Sequence, residues 1–167
     1  GGGKAGGGWS FAFENTGKAW GLDREGISFG AAWGDLDADG DPDLIVNNFD
    51  EPCTVYENTT PAAEAGRLAV RLRGVKSNRA GLGARVSLTA GGLTQTREIT
   101  AARGFFSSDE PVAFFGLGKS PAERIEVHWP SGIVQTLTGI PTGPLFTITE
   151  TEAVKPIPTT PIPAMFA

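Results

Sequence analysis

Cysteine is nearly absent from the 167-residue chain: Cys53 stands alone, so no disulfide and no cysteine-built zinc or iron–sulfur site can form within one molecule. No stretch of eighteen apolar residues occurs, which excludes a helical membrane span, and no charged-then-apolar start resembles a signal peptide. A basic excess is missing too. Fourteen basic against nineteen acidic side chains leave a net charge of −5, which argues against a nucleic-acid partner. Long helical periodicities are also scarce. In their place stand twenty-four glycines and twelve prolines, the composition of short strands joined by tight turns.

The expected fold class is therefore all-β. Residues 1–60 alternate aromatic pieces with Gly, Asn and Asp turns, with strand candidates at 9–13, 27–33 and 44–46. The four-residue string Phe13-Glu14-Asn15-Thr16 returns as Tyr56-Glu57-Asn58-Thr59, an echo about forty residues apart, the spacing of a repeated β unit such as a propeller blade. From Arg67 the texture changes, because Leu68, Val70 and Leu72 alternate with Arg67, Arg71 and Arg73, the period of a half-buried strand. A hairpin is expected from Leu82 to Ile99 around Gly91-Gly92, with further strands at 112–117, 124–129, 133–137 and 145–149. About seven strands over residues 61–150 predict a small β-sandwich. The Pro-rich segment 151–167 cannot join a central sheet and should run extended, near polyproline II. The Gly-rich opening reads as a processed or truncated end.

The densest chemistry lies in Asp35-Leu36-Asp37-Ala38-Asp39-Gly40-Asp41-Pro42-Asp43, where carboxylates occupy alternate positions around a turn-forming glycine. A loop of this kind can aim Asp35, Asp37 and Asp39 at one hard cation, add the backbone carbonyl of Asp41 and close with Asp43. Ca2+ suits so many ligands on a pliable loop better than magnesium does. An EF-hand is excluded, since its twelfth position needs a bidentate Glu and Val46 stands there. A solvated acidic turn around Asp39-Gly40 is the plain alternative, but only Arg24 is basic nearby in sequence, and such a cluster without a cation repels itself.

The segment from Phe29 to Leu44 resembles an FG-GAP or VCBS repeat, the calcium-loop blade unit of integrin-like propellers. Arg71-Leu72-Arg73-Gly74, the stretch Ser77 to Val86, Phe115-Gly116-Leu117-Gly118 and Val127-His128-Trp129-Pro130-Ser131-Gly132 resemble the ASPIC/UnbV domain, which follows such repeats in the cartilage acidic protein family. The resemblance implies a secreted, non-catalytic, calcium-binding β protein with ligands at Asp35, Asp37, Asp39, Asp43 and the carbonyl of Asp41. It departs from the family in holding at most one and a half blades, where closure needs about four to eight.

Enzyme strings are present but lack their context. Gly26-Ile27-Ser28-Phe29-Gly30 spells a nucleophile elbow without the strand–turn–helix it requires, and the only histidine, His128, falls on a distant strand. Gly116-Leu117-Gly118-Lys119-Ser120 hints at a phosphate loop, yet Ala113 replaces the first glycine and Pro121 follows where a helix should run. His128 is expected to pair on its strand face with Glu126 and Arg124. Asn58-Thr59-Thr60 satisfies the glycosylation sequon, and Trp9, Trp20, Trp33 and Trp129 are expected in the core, with a sugar-stacking platform as the alternative. Cys53 reads as a small apolar residue near a strand.

Two functional classes follow. The first is an extracellular structural building block, a homo-oligomer or polymer joined through its chain ends. The second is a glycan- or matrix-binding adhesion module using the surface around Arg97, Arg103 and Arg124.

Overall fold

A computed structural model describes residues 12–61, 66–100, 102–141 and 145–151. The strand expected at 9–13 lies largely outside them, as do Trp9 and all of the Pro-rich tail but Thr151; Ala12 and Phe13 are not in a strand. Ten strands follow in order: β1 Ser28–Gly34, β2 Asp43–Asn48, β3 Thr54–Tyr56, β4 Gly66–Arg73, β5 Arg85–Ala90, β6 Leu93–Glu98, β7 Val112–Gly118, β8 Ala122–His128, β9 Val134–Thr138 and β10 Leu145–Thr149. No α-helix occurs among the described residues, and the all-β expectation holds.

The strands form three sheets. β1, β2 and β3 make an antiparallel meander. β10, β4 and β7 form the second sheet, with β10 parallel to β4, and β6, β5, β8 and β9 form the third, antiparallel throughout. The second and third sheets share one core, in which Leu68, Val70 and Leu72 of β4 meet Val86 and Leu88 of β5, Ile125 and Val127 of β8, Phe115 of β7 and Ile148 of β10. Each inward set is spaced by two residues, because a strand sends alternate side chains to opposite faces. Trp129 closes the core and is buried, with its indole N–H donating to Gln135 Oε1 at 3.0 Å.

Gly91 and Gly92 join β5 to β6 with φ of 56° and 76°, the double left-handed geometry of a two-residue hairpin turn. Gly81 is also required: its φ is 68°, and a Cβ there would sit 2.7 Å from Leu72 Cβ.

The meander differs from expectation in its exposure. Trp33 is 47% exposed and Trp20 72%, not core, and Phe29, Phe49 and Val55 are also more than half exposed. The reason is architectural: among the described residues no second layer covers this three-stranded sheet, which leaves it nowhere to bury a face. Phe29 and Phe49 pack edge to face at 5.3 Å instead. The free edge of β1 is partly covered by the segment before β7. There Glu110 N–H donates to Trp33 O at 3.1 Å, and Trp33 N–H donates to Asp109 Oδ1 at 3.1 Å. Gly30 allows this approach, since a Cβ would fall 2.6 Å from Ser107 Oγ.

Candidate metal centre

The loop from Asp35 to Pro42 is the connection of the β1–β2 hairpin, anchored where Gly34 pairs with Asp43. Two residues turn left-handed to fold it, Gly40 at φ 94° and Ala38 at 64°. The folded loop brings one carboxylate oxygen from each of Asp35, Asp37 and Asp39 within 4.8 Å of one another. Backbone amides organise these acids. Asp39 N–H donates to Asp35 Oδ1 at 3.1 Å and to Asp37 Oδ1 at 3.2 Å, and Gly40 N–H donates to Asp35 Oδ2 at 3.1 Å. Three anionic oxygens on one pliable loop are the donor set of a hard cation. Any such ion would be held by Asp35, Asp37 and Asp39, with water and carbonyls completing its shell.

Asp41 and Asp43 lie outside this trio. Asp43 is buried and works as a staple: Oδ2 accepts Leu36 N–H at 2.9 Å, closing the loop, and Oδ1 accepts Asn58 N–H at 2.9 Å, fixing the segment that follows β3. The Asp41 side chain turns toward the sandwich and pairs with Arg67. Burial holds the Asp41 carboxyl above its ordinary range, against the opposing pull of the Arg67 guanidinium. Its Oδ1 is buried with no hydrogen-bond partner.

Arg67 is the residue that sequence reading missed. Arg24, the only base near the loop in sequence, pairs with Glu51 instead. Arg67, on β4, spreads its guanidinium over the loop: Nη2 meets Asp39 Oδ2 at 2.7 Å, Nε donates to Asp39 O at 3.2 Å, and Nη1 reaches both Asp41 and, at 2.8 Å, Thr60 O. The alternation of 67–73 places Arg67 on the outer face, and nothing local says that an acidic loop lies across it. A second tie runs from Asp35 N–H to Glu110 Oε2 at 3.1 Å, with Glu110 Oε1 in turn on Arg71 at 2.5 Å. One guanidinium against five aspartates leaves the loop strongly negative.

The other sequence candidates are dispersed. Ser28 Oγ donates to Asn48 Oδ1 at 3.0 Å on β1, while His128 stands on β8 in a different sheet with Nε2 2.7 Å from Glu126 Oε1. The His128 hydrogen bond, with help from Arg124, holds Glu126 below the usual carboxylate range. Residues 116–120 form the end of β7 and a turn. Cys53 is exposed just before β3. The repeated Asn has a matching local role at both copies: Asn15 Oδ1 accepts Gly17 N–H at 3.0 Å and Asn58 Oδ1 accepts Thr60 N–H at 3.2 Å. Arg97 and Arg103 line one cavity between the meander and the sandwich, and Arg124 is not among its walls.

The seven strands of the second and third sheets end at Thr149, and much of the region they occupy is similar to a known family. Residues 74–155 match the family model ASPIC and UnbV. The matched stretch takes in β5 to β10, while β4, the meander and the acidic loop precede it. Among curated proteins the chain is 36% identical over 118 residues to cartilage acidic protein 1 of Homo sapiens, covering 66% of this chain and 17% of that protein. The Mus musculus and Xenopus tropicalis proteins of the same name are each 34% identical, over 66% and 67% of this chain and 18% of theirs. The aligned part thus spans less than a fifth of the relatives' length. No helix among the described residues is long and apolar enough to cross a membrane.

Proposed function

We propose that this chain is a non-catalytic, Ca2+-stabilised structural unit of an extracellular protein. The observation that carries the reading is the convergence of Asp35, Asp37 and Asp39 oxygens within 4.8 Å on a loop that also bonds to the sandwich through Arg67. A cation there would relieve the repulsion of the acids and stiffen the hairpin that seats the meander. On this reading residues 1–60 form an FG-GAP or VCBS-type blade unit, 61–150 the ASPIC/UnbV sandwich and 151–167 a Pro-rich tail. The relatives named for cartilage, and the ASPIC and UnbV match, favour an extracellular matrix setting. The bare face of the meander, with Phe29, Phe49 and Val55 exposed, and the short edge strand β3 offer a place for another blade or a second copy to continue the sheet.

The test is thermal unfolding with calcium and with chelator. A single site at a hundredfold excess over Kd adds about 2.7 kcal/mol, and at about 2–4 °C per kcal/mol the melting temperature should rise by about 5–10 °C. Asp37→Ala should abolish the rise while leaving the Arg67 contacts intact. No bound ion by metal analysis, or equal melting with and without calcium, would sink the proposal.

A further inference from the structure

We propose that the cleft between the meander and the sandwich is a binding site for an acidic sugar, a hexuronate ring whose carboxylate is received by Arg97. This site does not depend on the metal reading. The cleft has a volume of about 340 Å³, and Trp33, Asp41, Arg97, Glu98, Arg103 and Phe115 are among its walls. That is the lower end of the range for small-molecule sites, the size of one ring and its substituents rather than of a drug-sized ligand.

Three guanidiniums face this space, and their engagements differ. Arg67 is fully committed to Asp39, Asp41 and Thr60. Arg103 gives only its Nε to Asp109, at 3.3 Å, and lies over the Trp33 ring at 5.9 Å. Arg97 has no carboxylate partner among the described residues. It lies over the Phe115 ring at 5.5 Å and donates to Thr96 O at 3.0 Å and, weakly, to Gln95 Oε1 at 3.4 Å. Those two bonds use two of the five guanidinium N–H donors, and the remaining ones can meet a carboxylate.

The cleft is not a general anion trap. Glu98 and Asp41 line it as well, and Asp41 Oδ1 is a buried acceptor without a donor. A polyanion such as a phosphate ester would be repelled by these groups, whereas a ring with one carboxylate and several hydroxyls satisfies both signs. Its carboxylate accepts from Arg97 and Arg103, and its hydroxyls donate to the exposed Glu98 carboxylate. Trp33, half-exposed, supplies apolar surface for the ring's C–H face.

The experiment is calorimetric titration of the intact chain with sodium glucuronate, with glucose and acetate as controls, in calcium and in chelator. Saturable glucuronate binding is expected, with glucose and acetate each weaker by about tenfold or more, since a hydrogen bond to a charged group supplies at least that factor. Arg97→Gln should weaken glucuronate by about tenfold and Arg97→Lys by less, while Arg124→Gln, on β8 and paired with Glu126, should leave it unchanged. A uronate-terminated tetrasaccharide that binds more tightly supports a site reading a polymer, and equal binding supports the free sugar acid. The proposal is overturned if glucuronate does not saturate, if acetate binds equally well, or if a folded Arg97→Gln binds as tightly as the parent. A failed metal site would show in the melting curves instead, so the two outcomes are separable.

Discussion

Replacing Glu150 with glutamine should destabilise the protein by about 3 kcal/mol at neutral pH and by very little in strong acid. Glu150 is buried just beyond β10, and both of its oxygens are crowded with donors. Oε2 accepts three successive backbone N–H groups, from Val75, Lys76 and Ser77, each at 2.7 Å, and Oε1 accepts the hydroxyls of Ser77 at 2.9 Å and Ser131 at 2.5 Å. Burial by itself would raise this carboxyl's pKa, but the bonds from Ser131, Ser77 and Val75 more than reverse it and bring it to about 2 from an ordinary 4.5. At about 1.4 kcal/mol per pH unit, that gap is worth about 3 kcal/mol. Because the folded pKa is the lower one, the contribution is fully present above the unfolded value and is lost as pH falls toward 2. Glutamine mimics the protonated acid, so the difference between parent and Glu150→Gln should shrink to about 2 kcal/mol at pH 3.5. Urea denaturation of both proteins at pH 7, 5 and 3.5 measures it, and subtracting one from the other removes the titration of every other carboxylate. A difference that does not change with pH, or one below about 1 kcal/mol at pH 7, would refute the reasoning.

Arg67→Met should cost about 3 kcal/mol in the same assay, because it strands the buried Asp41 carboxylate; adding Asp41→Asn should recover part of the loss, and full additivity of the two changes would show that they do not interact. Gly81→Ala should lower stability by about 2 kcal/mol or more, as alanine meets Leu72 in a left-handed backbone; an unchanged urea midpoint would contradict the geometry.

Strand identities in the sandwich were legible because the signals are local. The two-residue alternation of Val86, Leu88 and Ala90 and the glycine pair at 91–92 fix a strand and its turn within a few residues. Signals weakened in the meander. Trp20 and Trp33 look like core residues by type, yet burial depends on a facing layer, and among the described residues no second sheet stands over this one. The acidic loop was legible as a cluster, and its alternate spacing did bring Asp35, Asp37 and Asp39 together. The roles of Asp41 and Asp43 were not, since their partners Arg67 and Asn58 come from other strands and loops.

The sequence by itself determined that this chain is built of short strands, where most of the sandwich strands run, and that one hairpin carries a concentrated negative charge. These follow from side-chain periodicity and from backbone preferences of Gly, Pro and Asp, which act over a few residues. Tertiary structure alone decided that β10 lies parallel beside β4, that Arg67 reaches back 28 positions to Asp39, that Glu150 gathers the amides of 75–77, and that Arg97 and Arg103 share a cleft. Each of these depends on which segments become neighbours, and strand patterns specify a buried face without naming the partner that will cover it.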